Sequence, residues 1–255
     1  MNAKTTLLFI VLAIALSASC RGRDSEPPAT EMPPSESLSE SEPPPQSAIS
    51  ERAAAAFAGL DPIRFQQGED WRVFRIEAGA SNAAYVVDEE LFADATRKYG
   101  LKVGKTVVVG ETQDVMGLMQ IDLAQRSIGG NRFVVFLPTL RTDQKLRDAW
   151  IRENALESDR FPLAIFVAER LLEAPDTYQE GDEVTFQLEG DLEIRGTSMN
   201  TVWDVTASLN GGTIRGSMQT RLRMTTLGFD PPNFANTLTV QDEFAVRINF
   251  VGRQE

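Results

Sequence analysis

Eight carboxylates stand where two could share a bond to be hydrolysed or a hard cation to be held: Asp114, Asp148, Glu153, Asp182, Glu183, Asp191, Asp242 and Glu243. Hydrolysis by a carboxylate pair needs one acid and one base at a set separation, and calcium draws about six to eight oxygens from a dedicated loop. Their spacing fits neither demand, and the chain has no Asp-x-Asp-x-Asp-Gly loop, Gly-x-Ser-x-Gly elbow, Walker loop or paired-glycine dinucleotide signature. The 255 residues include no histidine, which removes the usual general base, metal ligand and pH switch together. Most of the acids flank turns, as in Glu180-Gly181-Asp182-Glu183, where solvated charge is the ordinary outcome. The expectation is a protein that binds rather than catalyses, with no catalytic residue, no metal and no cofactor.

Net charge narrows the partners. At −12 the chain repels phosphate backbones, so the counterion release that drives nucleic-acid binding has the wrong sign. Nucleic acid is excluded on that ground. The single cysteine, Cys20, rules out an intramolecular disulfide and a cysteine cluster for zinc or iron–sulfur.

The position of Cys20 carries its own reading. Residues 1–19 open with Lys4, run through the apolar stretch Leu7 to Leu16 and close on small residues, the layout of a secretory signal too short to span a bilayer. Leu16-Ser17-Ala18-Ser19-Cys20 resembles the lipobox of bacterial lipoproteins, with Ser17 where that pattern usually has leucine. The resemblance implies that Cys20 becomes the lipid-bearing first residue and that the protein is exported and membrane-anchored on the extracytoplasmic side. An ordinary secreted protein with a bystander cysteine is the alternative. Residues 21–50 hold seven of the thirteen prolines and six acids without apolar periodicity, a linker that could reach about 90 Å if polyproline-like.

Beyond the linker, Ser50 to Gly59 reads as a capped Ala-rich helix, so residues 51–75 form a short helix and lead-in to a domain over 76–255. Helices are also predicted from about Asp88 to Tyr99, stopped by Gly100, and from about Asp143 to Ala155. Elsewhere the period is two: Val184, Phe186, Leu188, Leu192 and Ile194 alternate with polar neighbours, as do Trp203, Val205, Ala207 and Leu209. The alternation returns at Met218, Leu222 and Met224 and at Phe244, Val246, Ile248 and Phe250. Gly211-Gly212 signals a hairpin, and Phe229-Asp230-Pro231-Pro232-Asn233-Phe234 a rigid loop. The fold class expected is all-β, an extended antiparallel barrel of about eight strands with one or two short helices.

Three stretches resemble the YceI-like family, lipocalin-like extended barrels of the bacterial envelope associated with polyisoprenoid lipids. Val109-Gly110-Glu111-Thr112 through Val115-Met116-Gly117-Leu118-Met119-Gln120-Ile121-Asp122 is similar to its glycine-containing second hairpin. Arg147 to Arg152 followed by Phe161-Pro162 is similar to its charged helix and aromatic-Pro strand opening. Leu188-Glu189-Gly190-Asp191-Leu192-Glu193-Ile194-Arg195-Gly196-Thr197 is similar to its Gly-Asp-Leu-x-Ile-Arg-Gly hairpin. Two departures stand out: Trp150 where many members carry histidine, and the 88–101 segment as an insertion.

The resemblance implies a barrel interior that holds a polyisoprenoid, an isoprenoid quinone-like lipid or another apolar chain, and it permits a homodimer. The lining it implies is Tyr85, Met119, Phe133, Trp150 and Ile165 from the first half, with Phe186, Leu188, Ile194 and Trp203 following. Leu222, Met224, Phe229, Phe244 and Val246 complete it. Read from the residues alone, the same side chains are equally a packed core, and methionine suits either role. A packed core would make the domain an envelope interaction module, with an exposed apolar patch in place of an open tunnel.

Overall fold

The computed structural model describes residues 49–255, which belong to one compact unit. The signal segment, Cys20 and the linker up to residue 48 lie outside the described residues. Helix α1 (Glu51–Ala58) begins where Ser50 leaves the extended conformation and its hydroxyl accepts the Ala53 N–H at 3.3 Å, and it ends at Gly59.

The strands that follow are β1 (Trp71–Ile76), β2 (Asn82–Leu91), β3 (Gly104–Thr112), β4 (Val115–Asp122), β5 (Ser127–Phe136) and β6 (Leu163–Leu172). The chain continues with β7 (Glu183–Ile194), β8 (Thr197–Asn210), β9 (Thr213–Arg223), the two-residue β10 (Asn233–Phe234) and β11 (Leu238–Gln254). Helix α2 (Ala93–Tyr99) joins β2 to β3, and α3 (Lys145–Trp150), widening into a π-turn over Ile151–Ala155, joins β5 to β6.

Every strand pair is antiparallel, in the order β1-β4-β5-β6-β7-β8-β9-β11, and β11 closes the ring by pairing Gly252 with Ile76. The fold is thus a closed eight-stranded barrel with few short helices. The hairpin β2–β3 extends the sheet from β11, which is long enough, at 17 residues, to serve β2, β9, β10 and β1 along its length. A register shift between Val240 and Phe244 bends β11 where the extension leaves the barrel.

Alternation carries the packing. On β8, Thr201, Trp203, Val205, Ala207 and Leu209 point inward while Asn200, Val202 and Asp204 face solvent. The interior is one contiguous cluster around Phe74, Phe133, Phe166, Trp203 and Met218, each nearly inaccessible. A second cluster sits on the outer wall, where Ala53 and Phe57 of α1 cover Val134 and Phe136 with Leu163 and Ile165 beside them. Burying Phe57 there contributes about 2–3 kcal/mol, enough to hold a two-turn helix that would not persist alone.

Three sequence expectations are corrected. Residues 88–91 are strand, not helix: Asp88, Glu89, Glu90 and Leu91 pair with Val107 to Gly104, so α2 starts only at Ala93. The barrel sheet begins at Trp71, ahead of Ile76, because β1 pairs with β4 from Trp71↔Asp122 onward. The third helix starts at Lys145 rather than Asp143.

Candidate functional site

The barrel is open at one end. There Met119, Ile121 and Ile128 of β4 and β5 face Leu171, Phe186, Leu188, Leu209 and Ile214 across an apolar pocket of about 120 Å³. An engineered apolar cavity of about 150 Å³ accepts benzene, so this smaller one has room for the end of a hydrocarbon chain. Its rim is polar. Arg126 reaches Asp176 at 2.5 Å across the entrance, joining the β4–β5 turn to the 173–182 segment. Tyr178 pins that segment to β8: its hydroxyl donates to the Leu209 carbonyl at 2.7 Å and accepts the Leu209 N–H at 3.0 Å.

Past this mouth the interior is filled. Met119, Phe133, Leu188, Ile194, Trp203, Leu222, Met224 and Phe244 are all buried in the main cluster, and Tyr85, Trp150, Phe186, Phe229 and Val246 pack half-buried against it. Trp203 lies 5.2 Å from the Phe166 ring, and its indole N–H is satisfied by the Thr201 hydroxyl at 3.0 Å. Ile165 is a correction. It sits in the outer cluster beneath α1, because Phe166 and Ala168 take the inward positions of β6 and the period of two turns Ile165 outward.

At the other end α3, the π-turn and the 225–234 loop plug the barrel, and the interior there becomes polar. Glu89, buried on the inward face of β2, meets Arg147 of α3 at 3.1 Å, and Arg147 also holds Asp143 at 2.5 Å. Four residues earlier on β2, the Tyr85 hydroxyl is enclosed with no hydrogen-bond partner among the described residues, and burial pushes its pKa well above the ordinary phenol value. Its ring fits only because residue 110 is glycine: a Cβ there would lie 2.2 Å from Tyr85 Cε1. Trp150 packs edge-on against Phe234 at 6.3 Å, and Arg195 lies over Phe229 at 5.3 Å.

The eight carboxylates do not converge. Asp114 binds Ser50, Asp148 accepts from the N–H and hydroxyl of Thr142, Asp242 accepts from Thr225, Glu153 pairs with Arg152 and Glu243 with Arg221. Asp182, Glu183 and Asp191 are exposed along the strand β7 and the turn before it. Among the described residues no group of three or more acids is placed to hold a metal ion. A wider groove of about 550 Å³ lies outside the barrel between the β1–β2 and β3–β4 turns, lined by Ser50, Ser81, Thr112, Asp114, Thr139 and Arg141. Its walls are mixed polar, and the hydroxyl–carboxylate contact in them, Ser50 to Asp114, serves the cap of α1.

The wall residues missed from sequence were Ile121, Ile128, Leu171, Val184, Ala207, Leu209 and Ile214. Val184, Ala207 and Leu209 belong to the alternation already legible there; what the pattern lacks is which end of each strand stays open.

The model of the YceI-like domain matches residues 81–252, so α1 and β1 precede the matched span. No curated protein sequence matches the chain. Among solved structures, BcnA of Burkholderia cenocepacia superposes with a TM-score of 0.53 at 16% identity over 69% of this chain and 98% of its own. A polyisoprenoid binding domain from Saccharophagus degradans, implicated in plant cell wall breakdown, gives 0.51 at 12% identity over 73% and 99%. At such identities the likeness speaks for the fold.

Proposed function

Because the chain belongs to the YceI-like domain family, we propose that it binds a long apolar molecule, of polyisoprenoid or isoprenoid-quinone kind, and catalyses no reaction on it. The observation that carries this reading is the apolar pocket opening at one end of the barrel, walled by aliphatic side chains and framed by a polar rim. Its volume takes one end of such a chain. Seating more of it calls for Met119 in the pocket wall to swing aside, which an unbranched thioether side chain does at low cost. Each 100 Å² of apolar ligand surface removed from water contributes about 2.5 kcal/mol, so a few isoprene units bind without a hydrogen bond. The Saccharophagus degradans domain, called polyisoprenoid-binding, shares this architecture and supports the ligand class.

The same proposal makes the protein an exported lipoprotein, tethered through Cys20 with residues 21–50 as spacer. Cys20→Ala is expected to move it from the membrane to the soluble extracytoplasmic fraction; a variant that stays with the membrane removes lipidation as the anchor.

Native mass spectrometry of the purified protein, with organic extraction of whatever co-purifies, tests the ligand. An extracted isoprenoid is the expected outcome. A bare protein that also refuses added quinone and polyprenyl chains ends the carrier reading. The filled interior beyond the mouth is the observation that favours the second reading, an interaction module with a packed core.

A further inference from the structure

β3 leaves one edge of the sheet open. It ends the strand order and pairs only with β2, in an unbroken register from Leu91↔Gly104 to Ala83↔Thr112. At its far end the Glu111 N–H donates to the Arg141 carbonyl at 2.9 Å, and the Arg141 N–H to the Glu111 carbonyl at 3.0 Å. Glu111 therefore turns its backbone groups away from β2, and the period of two turns those of Lys105, Val107 and Val109 the same way. Among the described residues no backbone partner meets these three. Val107 is 58% exposed and Val109 46%, and with Val103 they make three of the eight exposed large apolar side chains among the described residues. Unpaired donors and acceptors beneath a row of β-branched side chains are a template for another strand.

The edge is complementary to itself. Lys105 and Glu111 lie on one face of β3 with Val107 and Val109 between them, and neither has an ion-pair partner among the described residues. Antiparallel pairing of two copies about Val107 sets Val107 against Val107 and Lys105 against Val109. Each Lys105 is then diagonal to Glu111 of the second copy, within reach of long side chains. Two other registers fail. Pairing about Val108 would set Lys105 directly opposite Glu111, where Arg141 already occupies the edge. Pairing about Thr106 would bring the two Lys105 side chains diagonal to each other, like charge beside like.

About Val107 the new ladder covers residues 105–109 and forms about six backbone hydrogen bonds. β3 begins at Gly104, whose φ of +133° turns the chain off the strand line before it would meet Arg141 of the other copy. On the same face, β2 sets Glu90 opposite Lys105 and Asp88 opposite Val107. Lys105 thus stands between Glu90 of its own chain and Glu111 of the second copy. The two Asp88 residues are three strand spacings apart, about 14 Å, beyond the physiological Debye length of about 8 Å. We infer that two copies of this chain join β3 to β3 across a two-fold axis at Val107, one sheet running through both. The mouth pocket is walled from β4 to β9, so the pairing leaves it open in each copy, and the inference does not rest on what that pocket binds.

The test uses the full chain with Cys20→Ala, so that any added cysteine is unique. Sedimentation velocity over a concentration series at physiological salt is expected to show monomer passing to dimer. Lys105→Glu and Glu111→Lys each set like charges together on both sides of the axis, and each alone should weaken the dimer by about tenfold. The double variant only exchanges the pair and should restore the dimer, with circular dichroism confirming that all three fold. Val107→Cys should oxidise to a disulfide-linked dimer, its two Cα atoms lying about 5.5 Å apart across the axis. Val109→Cys, about 14 Å from its counterpart, should not. A chain that stays monomeric throughout, a double variant as weak as the single ones, or cross-linking at 109 as readily as at 107 overturns the inference.

Discussion

Asp114 holds Ser50 with both carboxylate oxygens, Oδ1 accepting the Ser50 backbone N–H at 2.8 Å and Oδ2 its hydroxyl at 2.7 Å. The point at which the chain enters the domain is thereby fastened to the β3–β4 turn, and α1 is aimed down the outer wall onto Val134 and Phe136. Asp114→Ala removes two charge-assisted hydrogen bonds and is expected to cost about 2–3 kcal/mol. The barrel should stay closed, and amide exchange at Ala53 to Phe57 should accelerate while exchange in β7 and β8 keeps its wild-type rate.

Tyr85→Phe is expected to stabilise the protein. The hydroxyl is buried without a partner, and such a group costs about 1–3 kcal/mol, so removing it should raise Tm by about 2–4 °C for each kcal/mol recovered. Thermal unfolding at neutral pH reads this directly. A lower Tm would mean that the hydroxyl has a bound partner in solution.

Asp242 supplies a pH test. The Thr225 N–H, donated to Oδ1 at 2.9 Å, holds its carboxyl below the ordinary value of 3.8, and the Thr225 hydroxyl on Oδ2 adds to this. A carboxyl whose folded pKa is depressed contributes stability that is present above its unfolded pKa and is lost as pH falls through the folded one. Below pH 3.8 the wild type should therefore lose a contribution that Asp242→Asn never had, and their denaturant midpoints should converge as pH drops. Parallel curves from pH 6 to pH 2 would contradict it.

Ala207 faces the mouth pocket and is buried. Ala207→Leu fills that space from within, excluding about two methylenes of any occupant at about 0.8 kcal/mol each, so binding of an apolar probe should weaken by about tenfold. Fluorescence titration with an alkyl or polyprenyl probe measures the change, and Tm should hold, because the added side chain enters existing space.

Much of this architecture is legible in the residues. The alternations of β7, β8 and β9 give barrel strands directly, and the Leu188 to Thr197 run forms the β7–β8 hairpin in register. Gly190 in that run has a physical reason: a Cβ would lie 2.1 Å from the Val167 carbonyl oxygen of β6. Where tertiary pairing overrides local preference the pattern misleads. Asp88-Glu89-Glu90-Leu91 has helical composition, yet β3 and β11 hold it extended, and Glu89 points inward because Arg147, distant in sequence, neutralises it. The parity of β6 is hidden for another reason. Its outer face is apolar too, since α1 covers it, so Ile165 and Phe166 look alike in sequence although they face opposite ways.

Closure through β11 sets the order of folding. The pairing that seals the ring joins residues far apart in the chain; the flanking Arg75–Glu255 bond spans 180 positions. Loop-closure entropy on that scale makes the sealing step slow relative to hairpins such as β7–β8, which form from neighbouring residues. Until β11 arrives, β1 and β9 each present an unpaired edge and the apolar interior is open, so an incomplete chain is sticky and unsealed. The polypeptide thus spends its early life as an open sheet, and the lifetime of that state, not the stability of the sealed barrel, sets how readily it aggregates.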